Sequence, residues 1–86
     1  MQTPKQILAL NAGALISRKC RETGTIVTLY DGILADLDTE GGRWQTVCET
    51  HGTVVAHNNR TNATNFLSHP KEWCEVCSGT EPPLEY

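Results

Sequence analysis

Two short segments of the 86-residue chain carry side chains that bind soft metal ions. Cys48 and His51 are separated by two residues, and Cys74 and Cys77 have the same spacing. This spacing lets one tight turn direct both side chains at one ion, while backbone N–H groups donate to the thiolates. Three thiolates and one imidazole are a standard ligand set of tetrahedral structural zinc. The sequence therefore predicts a structural Zn²⁺ bound by Cys48, His51, Cys74 and Cys77.

The segment around these ligands resembles the zinc-ribbon and treble-clef zinc fingers. In those families a knuckle at the tip of a β-hairpin supplies the first ligand pair, and the predicted strand 43–48, knuckle 48–52 and strand 53–57 match that hairpin. The resemblance covers residues 43–79. It departs from a treble clef because the predicted helix precedes Cys74, and from a simple ribbon because a helix lies between the knuckles. The resemblance therefore implies the ligand roles but no particular subfamily.

Disulfides are the alternative use of four cysteines, which allow three pairings of two bridges. A cytosolic chain keeps its thiols reduced, and bridges would leave His51 without a role. Cys20 stands outside the paired spacings, and we expect it to be a buried or half-exposed thiol.

Catalytic use of these residues is not expected. The segment from Trp73 to Cys77 resembles a thioredoxin-like redox motif, but only nine residues follow it, and such a motif has most of its domain downstream. Zinc deaminases need a glutamate two residues after a ligand, and none follows Cys48, His51 or His57 in this way. Four protein ligands also leave no open position on a zinc ion. We predict that the protein is not an enzyme.

The distribution of charge limits the partners. The chain has 7 Lys and Arg residues against 10 Asp and Glu residues, for a net charge of −3. A duplex-DNA binder shows a clear basic face, because phosphate contacts supply most of its affinity. The candidate basic patch is Arg18, Lys19 and Arg21, whose simpler interpretation is the solvated end of a strand or helix. We therefore expect a protein-interaction adaptor, with a nucleic-acid accessory module as the alternative.

No apolar run reaches the roughly 18 residues of a membrane span. The early apolar run, Ile7 to Leu10, has four residues, whereas a signal peptide needs about 7–15. We expect a cytoplasmic protein without membrane partners.

The first half of the chain predicts one helix and a hairpin. Thr3 and Gln6 match a capping box that begins a helix over about residues 4–16. The β-branched segment 25–30 predicts a strand. Because Asp-Gly at 31–32 favours a tight turn, residues 33–37 are expected to pair back onto that strand.

The second half adds the zinc hairpin and a short helix. Thr61 is expected to cap this helix, whose apolar face carries Ala63, Phe66 and Leu67 and which Pro70 bounds. Trp44 and Trp73 are expected to wall the metal site.

The pattern as a whole predicts an α+β fold stabilised by zinc. It combines an N-terminal helix, antiparallel hairpins with a zinc knuckle, and a short helix between the ligand pairs. We expect one domain over residues 1–79 and a flexible tail over 80–86.

Overall fold

Four antiparallel strands and three short helices make up the part of the chain that the computed structural model describes, residues 3–21, 23–74 and 77. In chain order the elements are α1 (Pro4–Leu10), β1 (Ala14–Lys19), β2 (Ile26–Asp31), β3 (Trp44–Cys48), β4 (Thr53–His57), α2 (Arg60–Phe66) and α3 (Pro70–Trp73). The strands form one sheet in the order β1-β2-β3-β4, so each strand pairs with its neighbours in sequence. The predicted α+β class is confirmed.

The helix α1 begins as predicted but ends early. The Thr3 hydroxyl accepts a hydrogen bond from the Gln6 backbone, and the Thr3 backbone donates to the Gln6 side chain, which completes the capping box. The helix stops at Leu10, so the prediction of a helix over 4–16 is wrong in its second half. Asn11 takes an extended conformation there, and both its backbone N–H and its side chain donate to the carbonyl of Ile7.

A β-bulge explains why the second half of that prediction failed. The strand β1 pairs with β2, and its register shifts between Ala14 and Ile16. This bulge lets two adjacent residues, Leu15 and Ile16, both pack against the core around Leu29. Strict alternation of apolar and polar residues is therefore missing, and the apolar spacing resembles that of a helix.

Asp31 explains why residues 33–37 form turns and not the predicted hairpin strand. Its carboxylate accepts the N–H of Ile33 at 3.1 Å, which bends the chain away from the sheet. It also binds the Arg43 guanidinium through two hydrogen bonds of 3.0 and 2.8 Å. The second contact holds the start of β3 beside the end of β2, so β3 takes the place expected for 33–37.

The strand β2 is buried along its whole length because both faces of the sheet are covered. On one face, Val27 and Leu29 pack with Ala63 of α2 and with Leu67. On the opposite face, Ile26 and Tyr30 pack with Ile7 of α1. We call these the α2 face and the α1 face. Each carries a small apolar cluster, so neither core is large.

The predicted helix between the ligand pairs is present, with a different cap. Asn59, not Thr61, is the N-cap of α2, and its side chain accepts the backbone N–H of Asn62 at 2.8 Å. Two of the predicted apolar residues, Ala63 and Leu67, are buried. Pro70 begins the four-residue helix α3, which ends just before Cys74.

The predicted tail over 80–86 lies outside the described residues, and the division at residue 79 stays a prediction. Among the helices of the described segments, none combines the length and the apolar character that crossing a membrane requires.

Gly13 is a position at which the fold leaves no room for a Cβ atom. A Cβ there would overlap the Cβ and the backbone nitrogen of Ala35, so the turn before β1 packs tightly on the turns after β2. We expect Gly13→Ala to lower the free energy of unfolding by about 1–3 kcal/mol through overpacking. Urea unfolding measures this change. Ala12→Ser, at the exposed neighbouring position, is the control and should stay within about 0.5 kcal/mol of the parent. Equal stability of the Gly13→Ala variant would contradict the close approach.

Candidate metal centre

The knuckle between β3 and β4 has the predicted geometry. β3 ends at Cys48 and β4 begins at Thr53, and the two strands pair antiparallel. The backbone N–H groups of His51 and Gly52 donate to the carbonyl of Cys48 at 3.2 and 2.6 Å, which closes the turn. Gly52 has a φ of 77°, in the left-handed region that favours glycine. The positive φ at position 52 therefore explains why a glycine follows the second ligand.

The four predicted ligands lie together at this tip. The three sulfur atoms and the imidazole Nδ1 of His51 all lie within 4.8 Å of one another. Cys48 and His51 come from the knuckle, Cys74 directly follows α3, and Cys77 lies beside them. The arrangement joins the tip of the β3–β4 hairpin to the chain after α3.

The distances between donors fit one tetrahedral ion. With Zn–S bonds of about 2.3 Å and Zn–N bonds of about 2.0–2.1 Å, a tetrahedron has S···S edges of about 3.8 Å and S···N edges of about 3.6 Å. The Cys48 and Cys77 sulfurs are 3.8 Å apart. His51 Nδ1 lies 3.3 Å from the sulfurs of Cys48 and Cys77 and 3.6 Å from that of Cys74. The residues can therefore hold a single metal ion.

Hydrogen-bond donors surround the sulfurs. The backbone N–H of His51 donates to the Cys48 sulfur, and that of Cys77 donates to the Cys74 sulfur. The Cys77 thiol donates to the Thr25 hydroxyl at 3.7 Å. The Thr53 hydroxyl lies 3.2 Å from the Cys74 sulfur, a distance at which it can donate to that sulfur. Such donors stabilise thiolates and are typical of the second layer of a metal site. Neither threonine was anticipated from the sequence, because no local spacing links a hydroxyl to a distant cysteine.

The protonation of the three thiols is unequal. Burial is the largest influence on Cys48 and, with the neighbouring Cys77 and Cys74, it raises the pKa of Cys48 to about 12. Burial also raises the pKa of Cys77. At Cys74 burial acts in the same direction, but the donors from Thr53, the Cys77 backbone and His51 outweigh it and lower the pKa to about 6. The protein alone thus favours one thiolate, and further negative charge in this space needs a cation.

The disulfide alternative does not describe this cluster. A disulfide has an S–S length of about 2.05 Å, far shorter than the 3.8 Å between the sulfurs of Cys48 and Cys77. Cys48, Cys74 and Cys77 are thiols in the structure. Cys20 is half-buried, in agreement with the prediction, and is not a member of the four-residue cluster.

Trp44 does not wall the site, contrary to expectation. It lies at the opposite end of β3 from Cys48, about 13 Å away at the rise of an extended strand. The guanidinium groups of Arg43 and Arg60 lie 4.6 and 5.9 Å from its ring centroid. Trp73, which precedes Cys74, packs on the core of the α2 face and donates from its indole to the carbonyl of Phe66 at 2.8 Å. Both tryptophans therefore serve packing on the α2 face.

The two remaining histidines lie outside the cluster. His69 is exposed and stands at the N-cap position of α3. His57 is buried. Its Nε2 lies 2.9 Å from the Thr46 hydroxyl, and its ring packs edge-on against Phe66. Burial lowers the pKa of His57, which favours the neutral ring.

The predicted basic patch lies elsewhere. Arg18, Lys19 and Arg21 are exposed and line a cavity beside the end of β1. This cavity shares no residue with the cysteine and histidine cluster.

Comparison of the chain with protein-family models, with curated proteins and with solved structures finds no match. The likeness to zinc ribbons and treble clefs therefore rests on the knuckle and the ligand spacing alone.

The ligand set predicts a contrast between two cysteine substitutions. Cys48→Ser removes a buried donor and should abolish stable zinc retention, whereas Cys20→Ser should retain zinc and cost about 1 kcal/mol of stability. Zinc content after gel filtration, together with the unfolding midpoint, measures both effects. Loss of metal in the Cys20→Ser variant would show that the ligand set is wrongly assigned.

Proposed function

We propose that the protein is a small structural-zinc domain that acts as a protein-interaction adaptor. The observation that carries the zinc assignment is the convergence of three sulfurs and one imidazole nitrogen within 4.8 Å. Thiolates and imidazole favour Zn²⁺ among common cellular cations, because hard ions such as Mg²⁺ and Ca²⁺ prefer oxygen ligands. When bound, zinc supplies positive charge and a tetrahedral cross-link.

A structural role follows from the number of donors. Four protein ligands complete a tetrahedron and leave no position for substrate or water, which supports a non-catalytic role. The cross-link joins Cys48 and Cys77, 29 residues apart, in a chain whose buried apolar clusters have four and three residues. Structural zinc contributes roughly 10–16 kcal/mol in finger peptides, against net stabilities of about 5–15 kcal/mol for ordinary domains.

The zinc assignment is tested on protein purified without added metal. We expect about one zinc per chain by elemental analysis, and Co²⁺ in its place should give the visible absorption of a tetrahedral thiolate site. Excess EDTA should abolish the cooperative unfolding transition, because metal binding and folding are coupled. A stoichiometry well below one, with the thiols oxidised in pairs, would refute the proposal.

The adaptor role is supported by an apolar groove on the α1 face. The groove has a volume of about 290 Å³ and is lined by Asn11, Tyr30, Ala35, Leu37, Gln45, Val47, Glu49 and Val54. Leu37 and Val54 are 40% and 55% exposed. Tyr30 donates to the Glu49 carboxylate at 2.5 Å, so the groove also offers a polar end. An apolar surface with a few fixed polar groups is typical of sites that bind other proteins.

The neighbouring sheet edge strengthens this proposal. β4 is an edge strand with the sequence Thr-Val-Val-Ala-His, which contains no proline, lysine or acidic residue. Edge strands without such residues accept an added strand from a partner. The groove and the edge meet at Val54.

Val54→Lys tests the adaptor role. We expect proteins cross-linked to the parent in native cells to be recovered at least tenfold less with this variant, because a charge enters an apolar contact. Leu10→Lys is the matched control, since Leu10 is 67% exposed and does not line the groove. Zinc content and unfolding midpoint confirm that both variants are folded. Equal recovery with both variants would contradict the role of this surface.

A cytoplasmic location and the lack of a membrane partner complete the proposal, since reduced thiols are maintained in that compartment. Nucleic acid is the alternative partner, through Arg18, Lys19 and Arg21. The net charge of −3 disfavours it, because polyanion binding draws its affinity from a positive surface.

A further inference from the structure

A cavity of about 610 Å³ opens between the end of β1 and the connection from α2 to α3. Residues 18–21 form one wall and residues 67–72 form the other. Its volume lies within the roughly 300–1,000 Å³ of pockets that bind small molecules. The cavity is therefore large enough for a ligand of nucleotide size.

The fold concentrates positive charge at this cavity. Four of the seven Lys and Arg residues of the chain line it: Arg18, Lys19, Arg21 and Lys71. Among the described residues, one carboxylate, that of Glu72, also lines it, so this part of the lining has a formal charge of +3 (four positive, one negative) in a chain of net charge −3. Positive charge in a cleft raises the local concentration of anions.

The remaining lining is mixed in a way that suits an organic phosphate. Leu67 and Pro70 lie beneath the cavity and are almost fully buried, while Ser68 and His69 are exposed polar residues. Arginine guanidinium groups bind phosphate oxygens through paired hydrogen bonds, and lysine adds a point charge. The aliphatic stems of these arginines and lysines can contact the non-ionic part of the same molecule.

We propose that this cavity binds a small phosphate-bearing ligand of the nucleoside diphosphate class. Arg18 and Arg21 hold the phosphates with Lys19 and Lys71, and the aliphatic stems of these side chains contact the organic part. The proposal goes beyond the adaptor function and depends on neither the groove nor a partner protein.

The experiment uses zinc-loaded full-length protein, with ADP and pyrophosphate as separate probes in calorimetry. ADP should bind saturably and at least about threefold more tightly than pyrophosphate, because only ADP has a nucleoside for the aliphatic stems to contact. Arg18→Gln/Arg21→Gln should weaken ADP binding at least about tenfold. Lys5→Gln/Arg60→Gln removes the same charge outside the cavity and should stay within about twofold of the parent.

Amide chemical shifts locate the bound ADP. We expect changes at residues 18–21 and 67–72, with unchanged zinc content in every variant. Changes centred on residues 48–53 would show that ADP acts on the metal cluster and would overturn the proposal. So would equal binding of ADP by both double variants.

Nucleic acid is tested in a parallel arm. A 20-nucleotide DNA strand and its duplex are titrated at low and physiological salt. Tighter binding of either polymer than of ADP would overturn the small-ligand assignment in favour of a polymer. For the duplex, the slope of log affinity against log salt should then be about −0.9 for each phosphate contact.

Discussion

Three cysteine sulfurs and an imidazole nitrogen share a space less than 5 Å across, and the repulsion that ionising all three thiols would create there is the constraint on which the structure depends. Two of the sulfurs, those of Cys48 and Cys74, are fully buried, so water cannot relieve that repulsion. The surrounding amides and hydroxyls favour one negative charge at Cys74. A divalent cation at the centre allows all three thiols to ionise and converts the repulsion into a cross-link.

The rest of the fold explains why such a cross-link matters. The sheet is four strands wide and covered on each face by one short helix or helix pair, so neither apolar cluster is extensive. The paired side chains of Asp31 and Arg43 hold one end of the β2–β3 pair, with Asp31 almost fully buried. The Arg43 guanidinium, which donates to the Asp31 carboxylate, holds the pKa of that carboxyl below its usual value although burial acts in the opposite direction, so the pair stays charged. The cysteine and histidine cluster lies at the other end of β3. The Asp31–Arg43 pair and this cluster therefore lie at opposite ends of the central strands.

What the sequence predicted well was determined by contacts between residues close in the chain. The two-residue ligand spacing, the glycine after His51 and the hairpin on either side are local features, and the structure shows all three. Apart from the cap of α2, which is Asn59 and not Thr61, the predictions that failed for the strands depended on distant contacts. The bulge at Ala14–Ile16 turns two adjacent apolar residues to one side, and only pairing with β2 reveals it. The pairing of β3 in the place expected for 33–37 is supported by Arg43, 12 residues from Asp31, and the basic cavity brings residues 67–72 to residues 18–21.

The sequential strand order has a consequence for how the chain folds. Every strand pairs with the strand next to it in sequence, so the sheet can assemble from short loops whose closure costs little entropy. The β3–β4 hairpin places Cys48 and His51 together as soon as its turn forms. The second ligand pair reaches them only after α2 and α3 have been traversed. A metal ion held by all four residues would therefore be fully coordinated only after the chain beyond α3 has reached the hairpin.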